Sequence, residues 1–190
     1  MTDFSADVEN CLQVLREGGT ILYPTDTVWG LGCDATDEAA VSKLYALKQR
    51  PPGKQFILLL ADERDLMKYI TQPDPEVFDF LQTTQKPTTV IYDGVVGVAA
   101  NVAADDGSVA FRIVREEFCK HLIKRFRKPV VSTSANLSGE PTPRLYQEIS
   151  PAIKAGADYV VQYRRNDLAL REPSAIIRWN GRGRITVIRE

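Results

Sequence analysis

The chain has 190 residues, 44% of them hydrophobic and 26% charged, and its 24 Lys/Arg against 25 Asp/Glu leave a net charge of −1. That composition describes a folded domain rather than a disordered or fibrous chain, and near-neutrality excludes a protein that grips nucleic acid through bulk charge. The longest clean apolar run, Phe56 to Ala61, is far short of the ~20 residues that a membrane-spanning helix needs.

In chain order, Phe4, Val8, Leu12 and Leu15 recur at helical spacing and predict a helix from Phe4 to Glu17, stopped by Gly18-Gly19. Thr20 to Tyr23 reads as a short strand. Asp37 is a candidate N-cap for a helix to about Lys48, with Ala40, Val41, Leu44 and Leu47 inward. Pro51-Pro52-Gly53 predicts a turn, and Phe56 to Leu60 a buried strand. Helices near 62–69 and 75–84 precede a strand at 88–92. Asp93 to Gly107 has no clear period and reads as a loop. Ser108 to Val114 is a predicted strand, Glu116 to Phe126 a basic helix, and Pro129 to Ser132 a strand followed by a polar segment to Pro143. A helix near 144–155 and strands at 158–161, 174–179 and 184–188 complete the pattern. Strands alternating with helices predict one α/β domain over residues 1–190, its last two strands antiparallel.

Charge is unevenly laid out along the chain. Residues 1–40 hold eight acids and one base, the other 150 hold 23 bases and 17 acids, and Arg112 to Lys128 alone has seven bases and two acids. Such segregation fits an anion site or merely solvated helix faces. The first ten residues carry three acids and no base, unlike a secretory or transit signal. Cys11, Cys33 and Cys119 are far apart and odd in number, as expected of a reduced, cytoplasmic protein with buried thiols.

Three segments could carry chemistry. Lys48, Arg50 and Lys54 lie at a helix end and on the turn after it. Lys48 could simply answer the negative end of the helix dipole, or all three could clamp a phosphate. The run Ser132-Thr133-Ser134-Ala135-Asn136-Leu137-Ser138-Gly139 leaves a hydrophobic strand, and ligands of open α/β sheets bind beyond strand ends. Its hydroxyls could equally cap their own turn. Tyr23-Pro24-Thr25-Asp26-Thr27-Val28-Trp29-Gly30 is another hydroxyl-rich strand exit, with Asp26 a candidate cap or acid. Gly30-Leu31-Gly32-Cys33-Asp34-Ala35 matches a dinucleotide-binding pattern, but no acid follows at the expected spacing, so a tight glycine turn is the preferred reading. His121, the single histidine, sits among bases on a predicted surface helix; no metal site is expected.

Taken together, Tyr23 to Gly32, Lys48-Gln49-Arg50-Pro51 with Lys54, and Ser132 to Gly139 resemble the YrdC/Sua5 family, whose best-characterised members are threonylcarbamoyl-AMP synthases. The similarity runs from about Leu12 to Arg189. The resemblance implies a YrdC-like fold, a twisted open sheet of mixed parallel and antiparallel strands, flanked by helices and with a large concave active-site face. It implies synthesis of threonylcarbamoyl-AMP and pyrophosphate from L-threonine, bicarbonate and ATP, with Mg²⁺ accompanying ATP. Partner proteins would then transfer the threonylcarbamoyl group to adenosine 37 of tRNA. By motif, Lys48, Arg50 and Lys54 are the implied catalytic cations. Arg50, Lys54, Ser108, Ser134, Asn136, Thr142 and Arg189 are the implied nucleotide contacts, and Thr27, Arg112, Ser132 and Ser174 those of threonine.

The family's W-P-G-P-x-T is replaced by Thr84-Gln85-Lys86-Pro87-Thr88-Thr89, and its R-[IM]-P by Arg112-Ile113-Val114. These departures leave room for a carbamoyl-adenylate former acting on another amine. A further alternative is a non-catalytic RNA-binding or ribosome-associated factor, with weak contact to tRNA or double-stranded RNA. The chain is expected to be the family's short single-domain form.

Overall fold

The computed structural model describes residues 3–51 and 53–190; Pro52, the centre of the expected Pro51-Pro52-Gly53 turn, lies outside them. The elements are α1 (Ser5–Arg16), β1 (Ile21–Tyr23), β2 (Gly30–Gly32), α2 (Glu38–Lys48), β3 (Ile57–Leu60), α3 (Glu63–Leu66), α4 (Glu76–Thr83), β4 (Thr88–Tyr92), β5 (Val109–Ile113), α5 (Glu117–Phe126), β6 (Val130–Ser134), α6 (Pro151–Gly156), β7 (Tyr159–Val160), β8 (Ala175–Trp179) and β9 (Ile185–Arg189). The strands form one open sheet in the order β7-β1-β2-β6-β3-β5-β4-β8-β9. It mixes parallel pairs (β1/β7, β3/β5, β4/β8) with antiparallel ones, the final β8/β9 pair among the latter. No helix is long and apolar enough to cross a membrane among the described residues.

Local chemistry sets the helix boundaries. Asp37 caps α2 by accepting from the backbone N–H of Ala39 and Ala40 at 2.9 and 3.1 Å, which satisfies two donors that have no partner within the helix. Ser150 caps α6 just before Pro151 at its first position. The helix expected over 144–155 is accordingly two pieces, a 3₁₀ turn at Tyr146–Glu148 and α6.

Gly30-Leu31-Gly32 is a buried strand rather than the expected tight turn, paired with β1 on one side and β6 on the other. A Cβ on Gly32 would collide with the Val131 carbonyl and come within 2.7 Å of the Tyr23 ring. Glycine is what permits three strands to close here. The adjoining Asp34 accepts from Thr36 and from Lys128, so the segment runs within the sheet and not into a phosphate-binding helix turn.

The separated charges meet in the folded chain. Glu9 pairs with Arg125 and Asp34 with Lys128, both at 2.6 Å, and Asp26 with Arg112 at 3.1 Å. His121 is exposed, 4.0 Å from Glu117, and Cys11, Cys33 and Cys119 are free and buried. Along β5 the two-residue period divides the faces: Phe111 lies in the core against Tyr69 and Tyr92, while Ala110 and Arg112 open on a cavity.

Candidate active site

That cavity has a volume of about 210 Å³, and its walls come from β2, β3, β5, β6, β8 and β9 together with the loop before β2. Its floor is partly bare backbone at Gly30, where a Cβ would stand 3.1 Å from Ser132 Oγ. Of the twelve site residues expected from the sequence, Thr27, Arg50, Arg112, Ser132, Ser134, Thr142, Ser174 and Arg189 line it. Lys48, Lys54, Ser108 and Asn136 do not.

Arg112 is 3% exposed. One terminal nitrogen donates to Asp26 Oδ1 at 3.1 Å and to Thr27 Oγ1 at 3.3 Å, while its Nε is buried with no partner. Asp26 is therefore the counter-charge that aims this guanidinium, its other oxygen accepting from Arg115 N at 3.3 Å. The loop carrying it is self-tied. Thr25 Oγ1 donates to the Val28 carbonyl and accepts from Thr27 N, and Arg164 Nη1 donates to the Thr25 carbonyl at 3.0 Å. Ser174, 1% exposed, also lines the cavity. Its Oγ lies 2.8 Å from Thr89 Oγ1 and accepts from Arg189 Nη2 at 3.4 Å, while Arg189 Nε holds the Ser174 carbonyl at 2.9 Å. Burial, and then the nearby Arg112, lower the Arg189 pKa.

The end of α2 sorts its cations to different places. Gln49 takes a left-handed conformation (φ 49°), and the N–H groups of Gln49 and Arg50 return to the carbonyls of Ala46 and Tyr45. This reversal sends Lys48 inwards and brings Arg50 to the cavity, where it packs over Phe56 at 5.1 Å and donates to the Gln55 carbonyl at 3.0 Å. Lys48 is 1% exposed, with Nζ donating to the carbonyls of Ser134 and Asn136 at 2.5 and 2.7 Å. Lys54 is exposed, one residue before the cavity-lining Gln55. Ser108 is turned to Asp106 at 2.6 Å, and also accepts from Arg178. The Asn136 amide donates to the carbonyls of Leu137 and Glu140, leaving its Oδ1 buried without a partner.

Several contributors have no individual sequence signal. Trp29, Gln55 and Phe56 line the cavity, and Thr89, fully buried, stands behind Ser174. A threonine in a strand reads as ordinary β-former, so its hydroxyl partner shows only in three dimensions.

An open, mixed α/β sheet carries one cavity lined by the buried Arg112, by Arg50 and Arg189, and by a ring of hydroxyls, a chemistry suited to anionic groups. The chain belongs to the Sua5/YciO/YrdC family: the family model, described as telomere recombination, matches residues 13–190. The threonylcarbamoyl-AMP synthase of Stenotrophomonas maltophilia (strain K279a) is 34% identical over 169 residues, covering 87% of this chain and 91% of that protein. The Sua5 protein of P. abyssi, in a crystal structure complexed with L-threonine, superposes with a TM-score of 0.84 at 22% identity, covering 97% of this chain and 54% of that one. E. coli YciO superposes with a TM-score of 0.82 at 24% identity, covering 97% of this chain and 89% of that one.

Proposed function

We propose that the protein forms threonylcarbamoyl-AMP and pyrophosphate from L-threonine, bicarbonate and ATP. The observation that carries this reading is one small cavity lined by cations from different elements, Arg112 on β5 and Arg50 after α2. Arg112, bonded to Thr27 and with an unpartnered Nε, suits an amino-acid carboxylate, with Ser132 and Ser174 to assist it; Arg50, with Ser134 and Thr142, suits phosphate. Arg189, which holds Ser174 and also lines the cavity, would serve the nucleotide. Exposed Lys54 lies on the turn beside Arg50 and is suited to meet the outer phosphates.

The chemistry follows from placing those groups together. Threonine's amine condenses with bicarbonate, losing water, to give a carbamate. A carbamate oxygen then attacks the α-phosphorus; the bond to the bridging oxygen breaks and pyrophosphate leaves. Arg50 would bear the charge that builds on the transferring phosphate. A carbamate decomposes in water, so holding it against the α-phosphate in the cavity shortens its exposure. Mg²⁺ would arrive with ATP. Asp26, the carboxylate paired with Arg112, is committed to Arg112 and Arg115, and no cluster of three or more His, Cys, Asp or Glu fit for a metal occurs among the described residues. The product would pass to a threonylcarbamoyl-transferring protein acting on tRNA.

The test is pyrophosphate release from ATP and bicarbonate with each amino acid in turn. Release that depends on threonine is expected. Release with a different amino acid would move the assignment to another acceptor amine, and none with any amino acid would sink it.

A further inference from the structure

We infer that Lys48 is a positioning residue and not a phosphate ligand: its buried ammonium clasps the Ser134–Asn136 segment to the end of α2, and phosphate binding in the cavity is coupled to proton uptake at that ammonium. The inference rests on the nucleotide reading above and deepens it. Three bonds make the clasp. Lys48 Nζ donates to the carbonyls of Ser134 and Asn136, and the Lys48 carbonyl accepts from Ser138 N at 2.8 Å. Two of the three motifs that carry the family resemblance are thus physically stitched together by one residue. The clasp ties together two segments that both reach the cavity, through Ser134 and Arg50.

The clasp supplies oxygen atoms but no countercharge. The charged group acting on Lys48 from its own turn is Arg50, of the same sign. The strand exit packed on it presents backbone carbonyls and the side chains of Ser134 and Asn136, none of them titratable. Burial, with a smaller push from Arg50, brings the Lys48 pKa down to about 8. A buried cation so placed is stabilised by any anion that arrives nearby. A phosphate at Arg50 and Ser134 supplies the missing negative charge, so the ammonium keeps its proton to higher pH when the ligand is bound. Linkage is reciprocal: raising the pH through this window weakens phosphate binding.

The experiment titrates ATP with Mg²⁺ into the full chain at about pH 8.5, by calorimetry in two buffers of different ionisation enthalpy. If bound phosphate raises the Lys48 pKa by about one unit, about half a proton is taken up per ATP. Equal heats in the two buffers would overturn the coupling while leaving ATP binding intact; no ATP binding in either would overturn the nucleotide reading and this inference with it. Lys48→Met, checked for fold by circular dichroism, is expected to lose the proton uptake. Hydrogen exchange on the ligand-free variant is expected to show faster exchange at residues 134–138, with β3 and β5 still protected. Unchanged protection there would overturn the positioning role and return Lys48 to the phosphates.

Discussion

Arg112 has a carboxylate on one nitrogen and no partner on another, and a guanidinium so aimed can present a fork that no amine reproduces. Arg112→Lys keeps the charge and loses the fork. Its expected signature in steady-state kinetics is a KM for threonine raised about tenfold or more with a smaller change in kcat. Arg50→Ala removes a charge-assisted contact worth about 1.5–3 kcal/mol, which should lower kcat/KM for ATP by about 10- to 100-fold; wild-type turnover would show that Arg50 does not touch the phosphates. Both arginines are legible as cations at strand and helix ends. The destination of Lys48 is not, because it turns on the left-handed Gln49. A residue other than glycine gives no warning that the chain will reverse there and bury the preceding lysine.

Among elements, α2 could be read from the sequence, its start at the Asp37 cap and its end near Lys48, since an Asp cap and an apolar stripe are both written in it. β2 could not. Two glycines in three residues have no strand propensity, and the segment is extended only because β1 and β6 hold it from both sides. Gly32→Ala therefore tests a constraint invisible to local reading. Forcing a methyl against the Val131 carbonyl should cost about 1–3 kcal/mol, seen in thermal unfolding as a fall in Tm of about 3–10 °C. A Tm unchanged by the methyl would mean that β1, β2 and β6 separate freely. β6 shows the complementary difference. It runs to Ser134, two residues beyond the expected end, so Ser132 and Ser134 are fixed on strand backbone and not on a loop.

At the scale of the whole molecule, the N-terminal acids find partners among later bases, so the segregated charge along the chain is partly a folding device. The buried thiols and phenols set the alkaline limit. Burial raises the pKa values of Cys11, Cys33 and Cys119 above the ordinary thiol value of 9.0, and those of Tyr23 and Tyr92 above 10.0. The unfolded chain then releases protons that the folded chain keeps, so stability falls as pH rises past 9. Each thiol contributes a loss of about 1.4 kcal/mol per pH unit. The same sign rule gives Lys48 an opposing gain of the same slope that begins near pH 8 and offsets about one thiol, leaving the net fall to the others. Denaturant unfolding between about pH 7.5 and 10.5 should show the midpoint dropping steeply above pH 9; a flat profile would mean that these groups ionise within the fold.

The cavity wall begins at Thr27 and includes Arg189, held through Ser174 at the far edge of the sheet. Residues 162 positions apart must therefore meet before there is anything for a ligand to hold. Such distant pairings close slowly, because chain entropy is spent before the contacts repay it. On the ribosome, the growing chain would fold most of its sheet while the binding site was still open on one side. Affinity for substrate would then appear in a single late step, when β9 docks, and substrate itself would draw that step forward.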